Sequence, residues 1–369
     1  MTSLTKALAF ASYFAVVLVL NFGAAGAVRA DPGAEGISFT VTNLDSNVSG
    51  RAAFTDPNSQ NAWGIAFAPG SPFWVNDNHA GVSTLYAGDG TIIPLVVTIP
   101  PPLGADPGST AAPTGMVWNP TSGFHVPGTS LAGIFIFDTE DGTISAWNPQ
   151  ANLGSAVIVV DHSAMLANYK GLAFGTNSTG NHLYATNFYS GEIEVFDNQF
   201  TPVTVPGSFT DRHIPPGFAP FGIQNIDGDL FVTYALQNAD KHDDVGGPGN
   251  GFVDVFDTDG HLLRRFARHG VLNSPWGLAR APYGFGSLSG AILVGNFKDG
   301  RINAFDARGH FLGALRGTNG MPVWVEGLWA LTFGGGAKSS PESLYFTAGP
   351  DDETNGVFGV IKAAPRNPD

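Results

Sequence analysis

The sequence predicts an all-β chain folded as a six-bladed β-propeller and closed by its own N-terminal strand. Three observations predict it. A short motif recurs six times, three short strands follow each copy, and one orphan strand precedes the first copy. The motif is an aromatic or polar residue, then Gly, then an apolar strand: NAWGIAF (61–67), APTGMVW (112–118), NYKGLAF (168–174), APFGIQN (219–225), SPWGLAR (274–280) and WVEGLWA (324–330). The marker glycines Gly64, Gly115, Gly171, Gly222, Gly277 and Gly327 recur at intervals of 50 to 56 residues. A period near fifty, filled with strands and turns, is the signature of propeller blades.

In chain order, residues 1–30 read as an export signal. Lys6 supplies the positive n-region, 7–20 is apolar, and Val28-Arg29-Ala30 ends in small residues before Asp31. The alternative is a membrane anchor; no later stretch is long and apolar enough to span a bilayer. Residues 31–362 form the propeller and 363–369 a short tail. The orphan strand, ISFTVTNL (37–44), is expected to complete the last blade, because only about thirty-five residues follow Gly327 and leave no room for an outer strand. Within each repeat the second strand reads FWVNDN, IFIFDT, LYATNF, LFVTYA, ILVGNF and LYFTAG. The third opens at a glycine turn, as in GEIEVFD (191–197) and GRINAFD (300–306), whose alternation gives one apolar face. Asp-Gly and Ser-Gly pairs provide the positive-φ turns. HLLRRFA (261–267) and HFLGALR (310–316) supply outer strands. Helix is confined to a turn or two within 161–170.

The formal charge of −14 argues against nucleic acid and anionic membrane surfaces as partners, and suits solubility or cation binding. With no cysteine, disulfides, thiolate metal sites and cysteine nucleophiles are excluded. G-x-S-x-G, H-E-x-x-H and Walker A motifs are also absent.

In a propeller, first-strand starts and second-strand ends share one rim, where polar groups from several blades meet. Second-strand ends supply Asp77, Asn78, Asn187 and Asn296; first-strand starts supply Trp63, Lys170, Phe221, Trp276 and Glu326. Hard oxygen ligands around a channel suit Ca²⁺, and Asn187, Asn296, Asp77 and Glu326 are the candidate set. The same residue types also serve plain β-turns. The blade-four loop 237–251 carries Asp240, His242, Asp243 and Asp244, either for a cation or ligand or as a solvated acidic loop. Trp63, Phe221 and Trp276 form either a stacking surface for a small molecule or glycan, or inter-blade packing. Lys170 and Glu326 stand out as charges at positions that are neutral elsewhere.

The segments NSPWGLA (273–279), GAILVGNFKDGRINAFD (290–306) and KHDDVGGPGNGFVDVFD (241–257), with the leader, resemble an uncharacterised family of secreted bacterial six-bladed propellers. More distantly the SPWGLA markers resemble NHL-repeat propellers. Some members of that family carry a PEP-CTERM tail; this chain ends in KAAPRNPD, so that route is not implied. The resemblance implies the fold and a periplasmic or extracellular location. It leaves two functions open: a module that binds a small molecule, glycan or protein, and a calcium-dependent hydrolase or lactonase acting through a channel ion.

Overall fold

The computed structural model describes residues 37–364; the proposed export signal and residues 365–369 lie outside the described residues. The chain opens with β1 (Phe39–Ser46) and β2 (Phe54–Thr55). Five four-stranded antiparallel blades follow. Blade one is β3 (Ala62–Ala66), β4 (Phe73–Asp77), β5 (Val82–Tyr86) and β6 (Ile92–Thr98). Blade two is β7 (Pro113–Trp118), β8 (Phe135–Thr139), β9 (Thr143–Trp147) and β10 (Val157–Asp161). Blade three is β11 (Tyr169–Asn177), β12 (Gly180–Asn187), β13 (Glu192–Phe196) and β14 (Pro202–Val203). Blade four is β15 (Phe218–Ile226), β16 (Asp229–Leu236), β17 (Phe252–Phe256) and β18 (Leu262–Arg268). Blade five is β19 (Pro275–Arg280), β20 (Ile292–Asn296), β21 (Ile302–Phe305) and β22 (Phe311–Ala314).

Blade six contains β23 (Leu328–Phe333), β24 (Leu344–Ala348) and β25 (Val357–Ala363), and β1 completes it, antiparallel to β25. The expected closure by the N-terminal strand is therefore present, so both ends of the described chain lie in one sheet and the β25 edge is covered. β25 runs one residue into the stretch assigned from sequence to the tail. Among the described residues the helical content is three single turns, one of them at Ser163–Met165 within the segment expected to hold it. Among the described residues no helix is long and apolar enough to cross a membrane.

Apolar cores lie between neighbouring blades. Trp74 of blade one stacks on Phe135 of blade two (ring centroids 4.4 Å apart), and both are buried. Burying side chains of this size contributes about 1.5–3 kcal/mol each.

Every first strand carries a β-bulge at the repeat motif. A bulge re-aims a side chain, and here it turns one residue per blade toward the axis. The glycine after that residue lets the next blade's backbone come close. A Cβ on Gly64 would lie 2.2 Å from the Thr114 carbonyl, and one on Gly222 would lie 2.3 Å from that of Trp276. In blade six the register corrects the sequence reading. Leu328 pairs Ala348 and Leu331 pairs Phe346, as Ala62 pairs Asp77 and Ile65 pairs Val75. Trp329 and Ala330 are thus the equivalents of Trp63 and Gly64. Gly327 lies three residues too early and owes its identity to a left-handed turn (φ 64°) packed on the Gly349 carbonyl.

Candidate functional site

The axial positions are Trp63, Thr114, Lys170, Phe221, Trp276 and Trp329. Ring contacts between adjacent blades and across the axis show that they converge. Trp63 stacks on Trp329 (3.5 Å between centroids), Trp276 meets both edge-on (6.3 and 6.1 Å), and Phe221 meets Trp329 at 5.9 Å. Phe188 and Phe297, one residue past the second strands of blades three and five, join the cluster; Phe297 stacks on Trp329 at 3.8 Å. Trp63 and Phe221 are fully buried and plug the channel, so they are packing residues rather than an open stacking surface. Trp276 is partly exposed, and its Nε1 donates to the Lys170 carbonyl (2.8 Å).

Lys170 sits on this aromatic floor, 2% exposed. Its ammonium lies over Trp63 (5.3 Å) and Phe188 (5.9 Å), pairs with Glu140, and is 3.9 Å from Asp243. Glu140 occupies the blade-two position equivalent to Asn78, whose Nδ2 donates to Glu140 Oε2 (2.9 Å). Asn61 donates to Asn78 Oδ1 (3.2 Å) and Glu353 Oε2 (2.9 Å), and accepts from Trp329 Nε1 (2.8 Å). Burial, reinforced by the Glu140 charge, pushes Glu353 up to about 7. Glu353 ends three consecutive non-glycine residues in the left-handed region, Asp351, Asp352 and Glu353 (φ 57°, 51° and 65°). Such backbone costs energy and persists only where its surroundings hold it.

The blade-four loop folds back as a tongue. Gln237 and Asp244 bridge its base, and Asn238 N–H donates to the Asp243 carbonyl (2.7 Å). Asn168 of blade three donates to the His242 carbonyl (3.2 Å), which fixes the tongue beside Lys170. His242 Nδ1 bonds Asp243 Oδ1 (2.8 Å); this contact raises the imidazole and lowers the carboxylate from their ordinary values. Asp244 is buried, its carboxyl raised by that burial, and lies 3.4 Å from Lys298. Asp240 is exposed. Glu140, His242 and Asp243 offer ligand atoms within 4.8 Å of one another, but the Lys170 ammonium already supplies positive charge to that group.

The calcium set expected from sequence does not converge. Asn187 and Asn296 are equivalent in register, yet Asn187 accepts from Asn168 N–H and Ser190 N–H, and Asn296 donates to the Val271 carbonyl and to Asp299. Both tie turns. Glu326 is exposed in a loop before β23 and accepts from Asp351 N–H, a consequence of the misphased sixth marker. Asp77, fully buried, faces Asp45 and Asp56 in the seam between blades one and six rather than the mouth. Burial there holds its carboxyl well above the ordinary range, and burial with the Asp56 charge pushes Asp45 up to about 7. The sequence reading missed Glu140, Asn61, Lys298 and Trp329. Aligning Glu140 with Asn78 by strand register would have found the first.

The opposite mouth is different. A cavity of about 250 Å³ there is lined by first-strand ends, including Ile65, Met116, Leu172, Phe174, Gln224 and Thr332.

No described protein-family profile matches the chain. Two uncharacterised proteins of Acanthamoeba polyphaga mimivirus, R648 and L690, are each 31% identical to it over 333 residues. The match covers 88% of this chain in both cases, with 80% of R648 and 86% of L690. These relatives are viral, and they lend no support to a secreted bacterial family. Among solved structures, a Bacteroides thetaiotaomicron protein of unknown function superposes with a TM-score of 0.54 at 11% identity, over 89% of this chain and 77% of that one. Virginiamycin B lyase from Staphylococcus aureus gives 0.47 at 11%, over 89% and 100%. At 11% identity the likeness to the Bacteroides protein is one of fold.

Proposed function

The chain belongs to the family of the mimivirus proteins R648 and L690, and from that premise we propose that it is an exported propeller that binds a small polyhydroxylated ligand at the Lys170 mouth. The observation that carries this reading is the buried Lys170–Glu140 pair on an aromatic floor. Burying two charges costs several kcal/mol of desolvation per ion. The other five blades place neutral residues at the Lys170 position, so ring closure does not require the charge. Around the pair stand amide donors (Asn61, Asn78), carboxylate acceptors (Glu140, Asp243, Glu353) and ammonium donors (Lys170, Lys298). Hydroxyl groups donate and accept at once and match such a mixture, while the partly exposed Trp276 edge offers an apolar wall.

The test is calorimetry of the purified protein against a panel of mono- and oligosaccharides and polyols, with Lys170→Met and Asn78→Ala alongside. The reading expects one ligand class to bind and both variants to lose at least tenfold in affinity. Binding that neither substitution affects overturns it. Export is part of the same proposal, and N-terminal sequencing of protein recovered outside the cytoplasm tests it.

The proximity of Glu140, His242 and Asp243 favours a second reading, a metal-dependent hydrolase. A divalent ion would there polarise a substrate carbonyl and acidify water, but it would have to displace or oppose the Lys170 ammonium. Turnover of an ester and lactone panel that disappears on chelation supports this reading; turnover that is absent or insensitive to chelation removes it.

A further inference from the structure

Blades four and five enclose a cleft between their outer strands, away from the channel. One wall is the end of β18 with the residues that follow it; the other is the turn from β21 into β22. The cavity between them measures about 630 Å³, a volume that small-molecule sites commonly have. The walls are locked together. Gly309, at φ 88°, passes so close to β18 that a Cβ there would lie 2.0 Å from the Phe266 carbonyl. An aromatic row crosses the cleft: Phe266 meets Phe305 at 5.7 Å between ring centroids, and Phe305 meets Phe311 at 5.6 Å. The first two rings are buried and Phe311 is 48% exposed, so the row runs from the core and ends on a ring that water still touches.

The chain carries a formal charge of −14, yet none of the residues lining this cleft is acidic. Of the lining arginines, Arg265 is taken by Asp211 and Asp254. Arg268 and Arg308 are exposed, and neither belongs to an ion pair among the described residues. Asp306, two residues before Arg308, is tied into its own turn: it accepts from the backbone N–H groups of Arg308 (2.8 Å) and His310 (2.9 Å) and from His310 Nδ1 (2.9 Å). His269, in the opposite wall, donates through Nδ1 to the Gly249 carbonyl (3.0 Å). Charges more than about 8 Å away are largely screened at physiological ionic strength, so the net charge of the chain does not decide what these two guanidiniums attract. A guanidinium binds carboxylate-type oxygens through parallel N–H groups, and an aromatic ring beside it accepts a flat apolar body. A neutral polyol would leave both charges unanswered, and an apolar chain would desolvate them without a partner.

We propose that the cleft between blades four and five binds a small organic anion with an aromatic body, an aryl carboxylate or its sulfonate analogue. Arg268 and Arg308 hold the charge, and the ring lies against Phe311. The site is separate from the Lys170 mouth and does not depend on the ligand-binding reading there.

The test titrates the full-length protein with anilinonaphthalene sulfonate, whose emission rises when its rings leave water, and in parallel with phenylnaphthylamine, the same body without the anion. The proposal expects one sulfonate probe per chain, displaced by naphthoate, and at least tenfold weaker binding of the neutral probe. Arg268→Gln combined with Arg308→Gln loses at least tenfold in affinity for the sulfonate, while its circular dichroism and thermal midpoint match the parent's. Arg212→Gln combined with Arg301→Gln removes the same charge from exposed positions outside the cleft and keeps the affinity. Should the first pair fail to fold, Arg268→Gln alone carries the comparison. Equal affinity for the neutral and anionic probes overturns the proposal. So does an absence of any emission change, or sulfonate binding that survives the loss of both cleft arginines.

Discussion

Two groups of carboxylates stand at the mouth and in the seam of this ring, and the chain treats them in opposite ways: the seam group is buried, whereas at the mouth Glu140 is half-buried and Asp243 exposed. At the channel mouth Glu140 and Asp243 face Lys170, so the protein supplies its own cation. In the seam Asp45, Asp56 and Asp77 face one another and two hydroxyls, without a basic side chain. The mouth group sits where blades converge on an opening, and its tongue and strained 351–353 turn border solvent. The seam group sits where the N-terminal strand must be held for the ring to exist. The difference teaches that carboxylates serve here in two settings: paired with the chain's own ammonium at the solvent-facing axis, and buried among hydroxyls at the closure.

Removing the closing strand β1 is the harshest way to break the comparison. A chain starting after Ser46 lacks β1 and Asp45, and blade six then ends on an open β25 edge. It should show no cooperative thermal transition by circular dichroism. A transition within a few degrees of the full-length protein's would show that closure is dispensable.

At the mouth, Lys170→Met leaves Glu140 half-buried beside a thioether. The expected loss is about 3–5 kcal/mol in urea unfolding, and Lys170→Met with Glu140→Gln should recover at least half of it, because the uncompensated charge is gone. Equal stability of the single and double variants would show that the pair is not electrostatically coupled.

Asp138 sharpens the contrast as a buried acid that meets no cation. It accepts from Thr114 Oγ1 (2.9 Å), and burial pushes it up to about 7 from an ordinary 3.8. The folded state therefore holds a proton that the unfolded chain has released between those values. The stability this contributes is complete below about pH 3.8 and is lost as pH rises to about 7. Asp138→Asn, a standing mimic of the neutral acid, should remove up to about 1 kcal/mol per pH unit from the decline between pH 5 and 7. An unaltered pH profile would place the proton elsewhere.

The smallest effect belongs to the strained turn. Asp352 is exposed at φ 51°. Asp352→Gly should stabilise the fold by about 1 kcal/mol in urea unfolding, while the neighbouring Glu353 keeps its bond from Asn61. Destabilisation would mean that the Asp352 side chain holds the mouth.

Most of the fold was legible in the sequence. Five of six markers, the second and third strands and the closing strand fall where the repeat places them, because a glycine at a close approach and a period-two strand leave local traces. The sixth marker misled because Gly327 obeys a different need, a left-handed turn, and the misphasing carried Glu326 into the candidate site and left Trp329 out. The site itself was half legible. Lys170 stood out as a charge among neutral equivalents, and the tongue residues His242 and Asp243 do reach it. Glu140 was hidden by strand register, since Asp138 and Asp141 flank it and read equally well. Asp45 and Asp56 were hidden by topology: only the bulge in β1 and ring closure bring them to Asp77.

The most direct measurement is calorimetry of the full-length protein and of Lys170→Met against one panel of saccharides and polyols. The account predicts that one ligand class binds the full-length protein and loses at least tenfold in affinity in the variant. Equal affinity in both would contradict it.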